Sequence, residues 1–150
     1  MKIYISASWK NRIAVRKLAE TLRKYGYDVF DFTDPDNRKS PESPPEMFPE
    51  QFDPTRHSYS KYLDRKEWRD AVNENRAEIE KADLIILLLP CGIDATADWA
   101  LGVGMGKKNI IVGHPSNGER SEVYLWADNI LESTEDILPW LKSHTDADNL

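Results

Sequence analysis

The residue types best suited to chemistry fall in the stretch Pro-Cys-Gly-Ile-Asp-Ala-Thr-Ala-Asp-Trp-Ala-Leu-Gly, residues 90–102, where Asp94 and Asp98 stand four residues apart at the opening of an apparent helix. In the first turn of a helix the dipole favours the ionised form of a carboxyl. At a pocket edge, an ionised carboxylate can act as a nucleophile or stabilise an oxocarbenium-like centre. Acidic residues at that place also serve as caps, so spacing alone leaves both readings open for Asp94 and Asp98. Gly92 keeps the backbone before them slim. A second segment, Ser6-Ala7-Ser8-Trp9-Lys10-Asn11-Arg12, opens another helix. Its small residues let the backbone approach a ligand, Ser8 can cap the helix, and free N–H groups there attract anions. Lys10 and Arg12 add charge, and Trp9 can stack on a planar base. The plainer alternative is a capped helix start carrying a surface tryptophan.

Several common chemistries lack their signatures. There is no GxGxxG fingerprint, no GxxxxGK[ST] phosphate loop and no GxSxG elbow. His57, His114 and His144 lie too far apart to suggest a ligand set, so no metal and no cofactor is expected. The single cysteine, Cys91, excludes an internal disulfide and a cysteine-cluster zinc site, and reads as a small buried apolar residue. Asp31 and Asp34 follow a strand with nothing to pair with them in sequence.

The elements that must position these residues alternate short apolar runs with helical periodicity. That alternation predicts α/β units on a parallel sheet. Strands are expected at 2–6, 27–32, 83–90, 109–112 and 129–131. Helices are expected at about 11–25, with Val15, Leu18, Leu22 and Tyr25 inward and Gly26 as a left-handed stop, and at 64–81, with Trp68, Val72 and Ile79 inward. A third begins near Ala95, and a last one, capped by Ser133 or Thr134, ends near Lys142. The run Asp-Leu-Ile-Ile-Leu-Leu-Leu-Pro, residues 83–90, is continuously apolar after its first residue, as a strand buried on both faces must be. The expected architecture is a flavodoxin-like, doubly wound, five-stranded parallel sheet with helices on both faces. It forms one domain over 1–142, followed by a polar tail at 143–150. In such sheets ligands bind beyond the C-terminal strand ends where strand order reverses, which selects loops 6–12, 91–98 and 113–121. Residues 33–60 hold six prolines and follow neither period, and Phe48, Phe52 and Tyr59 interleave with their charges. A loop of that length is either a functional cover or a loose insertion.

With 150 residues, the chain has room for one core of ordinary size. Its 26 acidic and 20 basic residues, net charge −6 and pI near 5.1 argue against a nucleic-acid polymer as partner but not against a nucleotide-sized ligand. The longest apolar run, 84–90, is far short of the roughly 20 residues a membrane span needs. With no lipidation motif and no signal-peptide layout, a cytoplasmic protein without membrane contact is the expectation.

Three segments taken in order resemble the nucleoside 2-deoxyribosyltransferase family, which includes the 2′-deoxynucleoside 5′-phosphate N-hydrolases. Ile3-Tyr4-Ile5-Ser6-Ala7-Ser8-Trp9 looks like its first strand and base-binding loop. Ala82-Asp83 before the apolar strand, with Asn75 eight residues earlier, looks like its second helix and third strand. Residues 98–107, Asp-Trp-Ala-Leu-Gly-Val-Gly-Met-Gly-Lys, resemble its acid-then-small-residue helix ending in Gly-Lys. Trp126-Ala127-Asp128-Asn129-Ile130 is a weaker echo. The resemblance implies cleavage of the N-glycosidic bond of a nucleoside or nucleotide, with the sugar passing to another base or to water. By position, Asp98 falls where the family has a nucleophilic glutamate, Tyr4 where it has the tyrosine that orients it, and Asn75 where it has an aspartate that holds the base. Trp9 matches an aromatic that packs on the base, while Ser6, Ala7, Ser8, Gly92 and Asp94 line the substrate side. The family's pocket is completed by a neighbouring subunit, roughly at 121–126 here, which makes Ser121 a substrate-binding residue of a homo-oligomer. Asp98 is one methylene shorter than glutamate and Asn75 cannot act as a carboxylic acid. Asp94 or Glu78 could then take over. Two rivals stay open: a catalytically silent nucleotide-sensing module, and an NAD glycohydrolase of the kind seen in Toll/interleukin-receptor-like domains, the latter on fold analogy alone.

Overall fold

The computed structural model describes residues 1–40, 52–116 and 121–145. Five parallel strands form one sheet: β1 (Lys2–Ala7), β2 (Asp28–Phe30), β3 (Leu84–Leu88), β4 (Lys108–Val112) and β5 (Asn129–Leu131), in the order β2-β1-β3-β4-β5. The helices are α1 (Arg12–Lys24), a short α2 (Tyr59–Leu63), α3 (Lys66–Lys81), α4 (Ile93–Gly104) and α5 (Ile137–Thr145). The flavodoxin-like α/β architecture expected above is the one observed. Strand order reverses between β1 and β3, so the loops that follow them flank the switch point.

Each element follows from its pattern. All five residues of β3 are buried, as befits a strand flanked by β1 and β4 and covered on both faces. In α1, Val15, Leu18, Ala19 and Leu22 are buried at helical spacing while basic residues face out, and Gly26 takes φ +85° to end the turn. Tyr4 and Ser6 point to the sheet face covered by α4, bonding Asp98 and the Ala95 carbonyl there. Gly102 sets how closely α4 can approach: a Cβ there would lie 2.6 Å from Ile85 Cγ1. The helix lies flush on β3 only because that position carries no side chain.

Several boundaries differ from expectation. The expected helix over 64–81 is two helices, with Asp64 ending α2 and Lys66 opening α3. Val72 is 66% exposed and Tyr25 58% exposed, because Ala71 and Leu22 take the inward positions beside them. The strand expected over 27–32 pairs only at 28–30. Beyond it Asp31 Oδ1 accepts bonds from the Thr33 N–H and hydroxyl (2.8 and 2.7 Å), turning the chain away from the sheet. The stretch 33–60 is not uniformly irregular: Arg16 holds Thr33, Arg23 holds Asp34 and Asn37, and α2 closes the far end. Phe48 and Pro41, Pro44, Pro45 and Pro49 lie outside the described residues, as do Gly118 and the tail 146–150. Helix α4 starts at Ile93, two residues before the expected start, and α5 runs on to Thr145. Among the described residues, no helix is long and apolar enough to cross a membrane.

Candidate active site

Three elements converge on one carboxylate. Asp98, on α4, has its Oδ2 atom held by two donors: the Tyr4 hydroxyl of β1 at 2.9 Å and the Asn75 side-chain N–H of α3 at 3.0 Å. The donors come from positions 94 and 23 residues away in sequence, so only the packed fold brings them together. Among the described residues, no hydrogen bond falls on Oδ1. One carboxylate oxygen is thus fixed by two donors from two other elements, while the other accepts no hydrogen bond among the described residues.

The electrostatics differ from the helix-dipole expectation. Because α4 begins at Ile93, Asp98 is its sixth residue and lies past the first turn, where the dipole acts most strongly. Burial dominates instead and raises the Asp98 pKa from 3.8 to about 6. The Tyr4 and Asn75 hydrogen bonds pull it down, the charge of Asp94 pushes it up, and that of Arg38 pulls it down. At neutral pH the group is largely ionised yet more basic than an ordinary aspartate. Tyr4 is held well above the usual tyrosine range, first by burial and then by the Asp98 charge, so its hydroxyl stays a donor.

The remaining expected residues fall around this centre at varying remove. Ser6 is buried and its hydroxyl donates to the Ala95 carbonyl at 2.8 Å, fastening β1 to the first turns of α4. Ala7 ends β1 opposite Leu88. Ser8 caps a 3-10 turn at 9–11 rather than α1 itself, accepting the Lys10 N–H at 3.2 Å. Trp9 is half-buried, packed edge-on against Phe32 with ring centres 5.3 Å apart, while Tyr4 stacks on Phe30. Asn11 donates to the Pro90 carbonyl at 2.6 Å and ties the loops after β1 and β3 together. Gly92 is the exposed N-cap of α4, and Asp94 is exposed in its first turn. Ser121 precedes a 3-10 turn at 122–126, whose Tyr124 ring meets Trp99 edge-on. The Tyr124 hydroxyl lies 3.4 Å from Thr96 Oγ1 and 3.7 Å from Cys91 Sγ. Cys91 is buried as expected, but its thiol meets the Thr96 and Tyr124 hydroxyls rather than a purely apolar surround.

Glu78 is engaged in two ion pairs. Burial works to raise its pKa, but Lys2 at 2.6 Å and Lys81 at 2.8 Å outweigh burial and leave it lowered. Two residues at the site carried no signal in the sequence. Glu74, next to Asn75 on α3, accepts the backbone N–H groups of Lys39 and Ser40 at 2.6 and 2.9 Å. That clamp places Arg38 where its charge reaches both Asp98 and Tyr4. Arg38 lies in a non-periodic, proline-rich stretch and Glu74 reads as an ordinary solvated helix position, so neither stood out. A surface hollow of about 400 Å³ lined by Ser60, Lys61, Leu63 and Asp64 includes none of these groups and offers no comparable chemistry. Among the described residues, no three His, Cys, Asp or Glu side chains group as metal ligands would.

Fold and site together define a flavodoxin-like α/β protein with a half-buried, doubly hydrogen-bonded carboxylate beside the switch point. Solved structures of the same fold include a 2-deoxyribosyltransferase from Bacillus psychrosaccharolyticus, with TM-score 0.60 and 19% identity over 91% of this chain and 90% of that one. They also include the CMP N-glycosidase of Clostridium botulinum, with TM-score 0.51 and 14% identity over 95% of this chain and 99% of that one. No protein-family model matches the chain, and no curated protein sequence does.

Proposed function

We propose that this protein cleaves the N-glycosidic bond of a nucleoside or nucleotide, with Asp98 as nucleophile, and passes the sugar to water or to another base. What carries the reading is the Asp98 carboxylate, with Oδ2 bound by Tyr4 and Asn75 and Oδ1 without a hydrogen bond among the described residues. It is supported by the fold being shared with two enzymes named for a deoxyribosyl transfer and an N-glycosidic cleavage. In the reaction Asp98 Oδ1 bonds to C1′ as the C1′–N bond breaks, and the bonding electrons leave with the base. Water or a second base then attacks C1′ and frees the carboxylate. Tyr4 and Asn75 keep Oδ1 aligned with C1′, because misalignment of about 1 Å can lower the rate on the order of 100-fold. Trp9 packs against the base, and Ser8 with the N–H groups opening α1 takes the sugar or a 5′-phosphate. A second copy of the chain completes the pocket at 121–126, where Leu125 and Trp126 are exposed.

The test is a panel of ribo- and deoxynucleosides, their 5′-monophosphates and NAD, with free base measured by chromatography. Base release that disappears in Asp98→Ala supports the proposal, and release undiminished in that variant removes Asp98 as nucleophile. Nucleotide binding without any base release identifies a sensor instead, and release from NAD alone an NAD glycohydrolase. Light scattering on the eluted protein reports whether a homo-oligomer forms.

A further inference from the structure

A base leaving C1′ carries away an electron pair, and something must stabilise it. Asn75 has no acidic proton to give. Of the carboxyls nearby, Glu78 is held by Lys2 and Lys81. Glu74 is engaged by the Lys39 and Ser40 N–H groups, which with the Arg38 charge outweigh burial and lower its pKa. Asp94 is exposed at the start of α4. None of these stands ready to protonate a base.

Arg38 is a different kind of group. Its side chain is only 8% exposed. Nε donates to Ser40 Oγ at 2.8 Å and lies 3.9 Å from Glu74, and Nη1 donates to the Phe32 carbonyl at 3.3 Å. These bonds lock the guanidinium plane. Nη2 has no hydrogen-bond partner among the described residues. The same charge acts on Asp98 and on Tyr4, so a fixed cation with an unpartnered N–H edge lies within electrostatic reach of the carboxylate, beyond ion-pair distance. Arg38 holds the backbone carbonyl of Phe32, whose ring Trp9 meets edge-on, and its loop is clamped by Glu74, the residue before Asn75 on α3, so the guanidinium is anchored between the elements that carry Trp9 and Asn75.

We propose that Arg38 is a substrate-recognition residue whose guanidinium stabilises the departing base as an anion, selecting nucleosides or nucleotides of carbonyl-bearing bases of the uracil and hypoxanthine type. The inference rests on the N-glycosidic reading above. As Asp98 Oδ1 bonds to C1′ and the C1′–N bond breaks, the electron pair passes into the ring and onto a carbonyl oxygen, where Nη2–H donates. The base anion takes its proton from water after release. Cytosine is a poor anion and adenine carries no carbonyl oxygen to accept from Nη2–H, so both are disfavoured.

The experiment compares kcat/KM for uridine and deoxyuridine series bearing hydrogen, fluorine or a nitro group at C5. Inosine, adenosine and cytidine counterparts are included, and the native chain, Arg38→Gln and Arg38→Lys are assayed. The native chain should favour uracil and hypoxanthine substrates over adenine and cytosine by roughly 10-fold or more, and Arg38→Gln should lose on the order of 100-fold on the parent uracil substrate. The loss should shrink to under about 10-fold for the nitro substrate, which leaves unaided, and Arg38→Lys should restore part of it. Free 5-nitrouracil, an anion at neutral pH, should bind the native chain roughly 10-fold more tightly than Arg38→Gln. A loss equal across the series, or unchanged 5-nitrouracil binding, overturns the role of Arg38. If adenine and cytosine substrates are cleaved as well as uracil ones while Asp98→Ala is inactive, the inference fails and the parent reading stands. If no substrate releases base, both fall.

Discussion

Replacing Asp98 with asparagine should stabilise the protein at pH 8 and leave it unchanged or slightly weakened at pH 4. Burial raises the folded pKa from 3.8 to about 6, so the folded chain holds this proton more tightly than the unfolded chain does. A group raised in this way lowers stability as pH climbs from the unfolded value through the folded one. The difference of about 2 units amounts to ~3 kcal/mol above both values and to roughly 0.5 kcal/mol at pH 4. Asparagine keeps an oxygen for the Tyr4 and Asn75 donors but accepts neutral hydrogen bonds, which are weaker by about 1 kcal/mol in total. The net gain is then about 2 kcal/mol at pH 8, or about 4–8 °C in Tm for a chain of this size. Urea titrations of both proteins at pH 4, 6 and 8 measure it directly. A stability difference that does not change with pH, or a loss at pH 8, would refute the reasoning that Asp98 is a desolvated carboxylate.

The rate should carry the same signature. If Asp98 must be ionised to attack, kcat/KM rises with pH through a midpoint of about 6 and then levels off. Tyr4→Phe removes a hydrogen bond that lowers this pKa, so its midpoint should move up and its plateau fall on the order of 10-fold or more, read from a pH–rate series. Gly102→Ala puts a methyl 2.6 Å from Ile85 Cγ1 and should destabilise by about 1–3 kcal/mol while lowering activity through displacement of α4. Adding Ile85→Ala should give a double variant less destabilised than the sum of the singles, measured by urea titration.

The sheet was legible because its strands advertise themselves: 84–88 is a continuous apolar run and 3–5 enters the core directly. Asp98, Tyr4 and Asn75 were nameable only through the resemblance, since periodicity by itself left Asp98 as readily a cap as a catalytic group. Its basicity was misjudged because dipole position follows from where a helix begins, and α4 begins two residues before its pattern suggests. Val72 and Tyr25 satisfy helical spacing yet face out, because the stripe each helix buries is narrower than its apolar residues allow. Arg38 and Glu74 were invisible for another reason. Their importance lies in a contact between a loop after β2 and a helix 35 residues on, and no local pattern encodes it.

Trapping the covalent intermediate bears most directly on the role of Asp98. A 2′-fluorinated nucleoside slows both steps by destabilising the oxocarbenium-like transition state, and with a reactive leaving base it lets the sugar accumulate on the enzyme. Proteolysis and mass spectrometry should find one fluorosugar on the peptide that contains Asp98, and none in Asp98→Ala. Base release with no adduct, or an adduct on any other residue, would contradict the assignment of Asp98 as the nucleophile.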